Sequence, residues 1–108
     1  MTTLIIGASS NRHRYSYKAI QKLRKLNFDV YALGLNDGLI MDVKIQTKPI
    51  NFKKIHTVSI YLRPQNQSQY LNYLLKLMPE RVIFNPGSEN KILMNKLEEK
   101  KISCENSC

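Results

Sequence analysis

Between Gly7 and Ser16 the chain reads Gly-Ala-Ser-Ser-Asn-Arg-His-Arg-Tyr-Ser, a run in which Ser9, Ser10 and Ser16 offer hydroxyls and Arg12 and Arg14 offer guanidinium groups. Hydroxyl and guanidinium donors around a glycine suit phosphate, because the glycine lets the backbone come close and the arginines form charge-assisted hydrogen bonds. The apolar run Thr3-Leu4-Ile5-Ile6 stops at Gly7 and a helical pattern begins near Tyr17, so the set lies on a strand-turn-helix. A helix N-terminus favours anions and disfavours cations. Two arginines there are explained by an anion held between them. The plainer alternative is that both splay into water and Ser16 merely caps the helix.

The elements that position this loop follow from periodicity. Tyr17 to Leu26 places Ala19, Ile20, Leu23 and Leu26 on one helical face, Asn27 ends it, and Phe28 to Leu33 is β-rich, which completes a βαβ unit. Asn36-Asp37-Gly38 signals a turn, Met41 to Gln46 a short strand, and no helix fits residues 34–56. Thr57 to Leu62 reads as a buried strand closed by Arg63-Pro64, which puts Arg63 on the ligand side. A helix from Gln65 or Ser68 to Met78 presents Tyr70, Leu71, Leu74, Leu75 and Met78 to the core. Arg81 to Phe84 is the next strand and Asn85-Pro86-Gly87-Ser88 the next turn. A helix from Glu89 to Lys101 then points Ile92, Leu93 and Leu97 inward, and a short strand begins at Ile102. The rhythm predicts an α/β fold: a Rossmann-like three-layer parallel sheet of five to six strands, order 3-2-1-4-5, with helices on both faces. Three loops then meet at the carboxyl ends of the strands, where such sheets bind ligands.

With 108 residues the chain suits a single domain, and it shows no repeat or linker. No apolar stretch reaches the roughly 18 residues that cross a bilayer, and the N-terminus lacks a signal-peptide pattern, so a cytoplasmic protein without a membrane partner is expected. The net charge of +9 draws anions of every kind. Lys18, Lys22, Arg24 and Lys25 read as the solvated face of the first helix, and Lys96, Lys100 and Lys101 sit among Glu98 and Glu99 on the last. Cys104 and Cys108, with three residues between them, form neither a CxxC pair nor a four-ligand set, so no metal site is expected and free thiols are.

Gly7 is the only position of a GxGxxG fingerprint that is matched, and Ala32-Leu33-Gly34 stands where a dinucleotide site places an acid for the ribose. No Gly-Lys-Ser/Thr follows the first strand, which removes a Walker A loop. The segments Leu4-Ile5-Ile6-Gly7-Ala8-Ser9, Arg14-Tyr15-Ser16-Tyr17, Tyr61-Leu62-Arg63-Pro64 and Ile83-Phe84-Asn85-Pro86-Gly87-Ser88-Glu89-Asn90 together resemble the small stand-alone CoA-binding proteins. These are similar in turn to the CoA-binding domain of the succinyl-CoA synthetase alpha subunit. The likeness runs through nearly the whole chain, so residues 1–108 are expected to form one CoA-binding domain.

The resemblance implies that Gly7, Ala8, Ser9 and Ser16 meet the phosphates of CoA, with Ser10 beside them and Arg12 or Arg14 assisting. It implies that Leu33-Gly34-Leu35-Asn36 flanks the adenosine end, and that Arg63-Pro64 and Asn85-Pro86-Gly87 line the pantetheine side. The second strand ends in Ala32-Leu33-Gly34-Leu35 where many relatives carry a Val-Asn-Pro-like segment. Cys108 matches a cysteine after which relatives continue into a further strand, so a missing last strand and an exposed edge, open to pairing with another copy, are expected.

The larger synthetases act through a phosphorylated histidine in another domain. His13 here lacks a visible carboxylate partner, and Ser88-Glu89 reads as a helix cap, so no catalytic residue is assigned. The leading expectation is a non-catalytic module for coenzyme A or acyl-CoA. An NAD(P)-dependent enzyme with a divergent glycine loop is the alternative, and a basic nucleic-acid-binding domain ranks third.

Overall fold

The computed structural model describes residues 1–107. It is a mixed α/β structure with one seven-stranded sheet, and strands β1 (Thr2–Ile6), β2 (Asp29–Leu33), β3 (Gly38–Ile40), β4 (Val43–Gln46), β5 (Thr57–Ile60), β6 (Arg81–Phe84) and β7 (Ser103–Asn106) stand in the order β3-β4-β2-β1-β5-β6-β7. All neighbouring pairs are parallel except β3 with β4. The expected order survives within this sheet, but the expected five to six strands become seven. The extra strand, β3, forms a hairpin with β4 in which Ile40 faces Val43. Its two-residue turn is Met41-Asp42, with Met41 at a φ of +54°. Such turns usually advertise themselves by Gly or Asn, and this one does not.

The helices are α1 (Tyr15–Lys25), α2 (Leu71–Leu77) and α3 (Lys91–Glu99). Helix α1 starts earlier than its periodicity suggests, so Ser16 lies within the first turn and is not the cap; Arg14 occupies the N-cap position and makes no side-chain capping bond. The run before α2 is broken into two 3-10 turns, Pro64–Asn66 and Ser68–Tyr70. At the start of α3 the cap is Asn90, whose Oδ1 accepts from the Leu93 N–H at 3.1 Å, rather than Ser88 or Glu89. Three residues assigned to the core are exposed instead: Leu26, Met78 and Ile92. Leu26 and Met78 are the C-cap residues of α1 and α2, where the chain has already turned off the sheet, and Ile92 is in the first turn of α3.

Residues alternate in direction along a strand, and β1 accordingly feeds two core clusters. Leu4 and Ile6 belong to one with Val58, Phe84, Leu74 of α2, and Leu93 and Leu97 of α3. Ile5 belongs to the other with Ala32, Ile45 and Ile20 of α1. Arg24, read as a solvated cation, instead clamps α1 to the hairpin. Its Nε and Nη2 donate to the two carboxylate oxygens of Asp42 at 2.8 and 2.6 Å, and its Nη1 donates to the Phe28 carbonyl. That pairing holds the Asp42 carboxyl below its ordinary value and raises the Arg24 guanidinium. The expectation attached to Cys108 concerns a residue outside those described.

Candidate functional site

The loop after β1 is held by backbone geometry before any side chain is considered. Gly7 has a φ of +91°, and a Cβ there would lie 2.8 Å from the Tyr61 carbonyl oxygen, so both conformation and space demand glycine. The N–H groups of Gly7 and Ala8 both donate to the Leu33 carbonyl, at 2.9 and 3.0 Å. Leu33, itself buried, thus anchors the loop to the end of β2. At Gly34 the β2 exit presses so closely on the Ala8 carbonyl that a side chain would collide with it. Farther on, the Asn11 N–H donates to Ser9 Oγ and the His13 N–H to Asn11 Oδ1, which curls the loop into α1.

At the start of α1 the first-turn N–H groups have no intrahelical acceptor. The first turn contains no acidic residue, and the N-cap residue supplies no side-chain bond. The positive end of the helix dipole is therefore uncompensated within the helix, and the Arg14 guanidinium adds to it.

Two further loops face this one and are tied to each other. Gln67, 1% exposed, donates through Nε2 to the Leu62 carbonyl at 2.8 Å and to the Ser88 carbonyl at 2.7 Å, while its Oε1 accepts from Asn90 Nδ2 at 3.2 Å. Asn85 Nδ2 donates to Ser59 Oγ at 2.7 Å and to the Ile60 carbonyl at 2.9 Å. Burial pushes the Tyr61 phenol up, opposed by its hydrogen bond with Ser59.

Between the loops run three adjoining cavities. One of about 280 Å³ is lined by Gly7, Ala8, Ser9, Ser10, Arg14, Leu35, Asn36 and Leu62. The next, about 250 Å³, shares Arg14 and Leu62 with it and adds Ser16, Arg63, Pro86 and Gly87. A third, about 570 Å³, shares Tyr15, Tyr61 and Pro86 with the second and extends along α1 past Lys18 and Lys22, with Asn85 in its wall. The result is an elongated groove whose first two cavities lie at the carboxyl ends of the strands and whose third runs along α1.

Most of the residues singled out by sequence therefore meet in one place. Arg12 is exposed and lines none of these cavities; Pro64 opens a 3-10 turn beside the groove, and Leu33 and Gly34 support it from behind. Sequence reasoning missed Gln67, Tyr15, Lys18 and Lys22. No local signal marks Gln67, since its acceptors arrive from two other loops. The lysines did carry a signal, their one-turn spacing on α1, but it reads equally well as a solvated face.

Fold and groove together define an α/β protein whose loops gather around cavities at the carboxyl edge of a largely parallel sheet. A family model described as a CoA binding domain matches residues 1–108, and the chain belongs to that family. No curated protein matches the chain. Among solved structures, an uncharacterized protein is 36% identical with a TM-score of 0.96, over 99% of this chain and 88% of that one. A hypothetical protein from Pyrococcus horikoshii OT3 is 19% identical with a TM-score of 0.87, over 97% of this chain and 75% of that one. Cell-free ID.343 from Thermus thermophilus is 17% identical with a TM-score of 0.88, over 97% of this chain and 81% of that one. The last two likenesses are of fold alone. Among the described residues no helix is long and apolar enough to cross a membrane.

Proposed function

We propose that residues 1–108 form one Rossmann-like unit that binds coenzyme A or acyl-CoA without catalysing a reaction on it, with the phosphates at the β1–α1 loop. The observation that carries this reading is the start of α1. It has no acid in its first turn and no capping side chain, and its Arg14 lines two adjoining cavities. Such an end attracts phosphate. The Gly7 and Ala8 amides are engaged by Leu33, so phosphate contacts fall to Ser9, Ser10, Arg14 and the first-turn N–H groups of α1.

The shape of the groove supports an extended ligand rather than a compact one. None of the three cavities is large enough to enclose a whole CoA, but they share walls in sequence, as a long thin molecule requires. The adenosine end then lies toward Leu35 and Asn36, and the pantetheine arm passes Leu62, Arg63 and Pro86. This orientation follows the family likeness.

Thermal unfolding with and without ligand tests the reading. About 1 mM CoA raises the melting temperature through its binding to the folded state alone, more than the same concentration of NAD or NADP does, and Arg14→Ala reduces the rise. An unmoved melting temperature overturns it.

A further inference from the structure

The third cavity bears on which CoA derivative the groove suits. Resting on the CoA reading above, we infer that it receives the acyl group of an acyl-CoA and that the pair Lys18 and Lys22 selects acyl groups ending in a carboxylate.

The groove is continuous from the second cavity into the third. With phosphates at Arg14, an uncharged arm running away from the adenosine end passes Leu62 and then Tyr61 and Pro86, the residues that join the second cavity to the third. Where that arm ends, the wall is formed by Tyr15, Ala19, Tyr61 and Pro86, which suit a short carbon chain, and by Lys18 and Lys22. The lysines are four residues apart on α1, so their ammonium groups fall on one side of the helix. Among the described residues neither has a carboxylate partner. Lys18 Nζ instead sits 5.6 Å from the centre of the ring of Tyr15, which lines the same cavity.

Asn85 gives the cavity a polar contact of the opposite kind. Both N–H bonds of its amide are used, on Ser59 and on Ile60, and the Ile60 carbonyl can only accept, which fixes the amide's orientation. Only Oδ1 is left to bond a ligand, and an acceptor there suits an amide N–H of the arm. A neutral, amide-bearing chain that ends in a negative charge satisfies both features at once. A second phosphate would satisfy the lysines alone, and CoA carries one on its ribose, so the two sources of negative charge must be separated.

Isothermal titration of the whole chain at low salt does so, with CoA, dephospho-CoA, pentanoyl-CoA and glutaryl-CoA. These ligands are compared on the wild type and on a Lys18→Met/Lys22→Met variant whose fold is checked by circular dichroism. The two acyl groups have the same number of carbons and differ in the terminal carboxylate. Glutaryl-CoA is expected to bind about fivefold tighter than pentanoyl-CoA, the scale of two partly exposed ion pairs, and the ratio is expected to fall to about one in the variant. Equal affinities in the wild type overturn the inference, and so does a ratio that the variant leaves unchanged. A variant that loses affinity for CoA but not for dephospho-CoA also overturns it, by giving the lysines to the ribose phosphate. If neither CoA nor any derivative binds, the underlying CoA reading fails and this inference with it.

Discussion

The two ends of the sheet use charge in opposite ways. At the amino ends of β5 and β6, polar groups are paired into a closed set. Arg81 donates to Thr57 Oγ1 at 3.0 Å and to Glu105 at 3.1 Å, and His56 lies 2.8 Å from Thr57 Oγ1 and 2.9 Å from Glu80. On the other side Arg14, at the start of α1, and Lys18 and Lys22, farther along it, line a groove, and among the described residues none of them has an acidic partner. Paired charges stitch neighbouring strands together, whereas cations without an acidic partner keep their hydrogen-bond donors open to an anion. On the CoA reading proposed above, the difference separates residues kept for the fold from residues kept for a ligand.

The largest effects are expected at the residues that hold the groove's loops in place. Gly7→Ala forces an alanine to a φ of +91° and its Cβ onto the Tyr61 carbonyl. A loss of about 3 kcal/mol in urea unfolding is expected, together with loss of ligand binding. Gln67→Leu leaves the buried Ser88 carbonyl and the half-buried Leu62 carbonyl without their donor, and about 2 kcal/mol of destabilisation is expected from the same measurement. A change within about 0.5 kcal/mol would show that this tie between the loops is dispensable.

A crossed pair of arginine variants sharpens the contrast directly. Arg14→Ala is expected to weaken CoA binding about tenfold while moving stability by less than about 0.5 kcal/mol. Arg81→Ala is expected to cost about 1 kcal/mol of stability and to leave CoA affinity unchanged. If both variants behaved alike, the two ends of the sheet would not differ in the way described. The smallest effect concerns Tyr73, whose hydroxyl donates to the Ile50 carbonyl and whose phenol is pushed by burial from 10.0 up to about 12. A raised value means the neutral form is favoured in the folded state, so its contribution is complete below pH 10 and fades as the pH rises toward 12. Tyr73→Phe should flatten that alkaline decline in melting temperature.

How much of this was legible in the sequence depends on how far apart the deciding atoms lie. The order of the parallel strands follows from apolar runs closed by Gly7, Pro64 and Pro86, and the β1–α1 loop was legible because its donors are consecutive. The β3 hairpin was not, because Met41-Asp42 carries no turn residue at its positive-φ position. Leu26 and Met78 misled because periodicity counts apolar residues without knowing where a helix stops. Lys18 and Lys22 become cavity walls only when Tyr61 and Pro86 are brought opposite them by folding.

The Leu33 carbonyl, by taking two N–H groups of the β1–α1 loop at once, fixes that loop through bonds internal to the chain. Ordering it is then part of folding rather than of association. The chain should recognise its ligand as a rigid receptor: amide exchange at Gly7 and Ala8 should be slow without ligand and change little on saturation, and association should be governed by electrostatic steering rather than by loop closure.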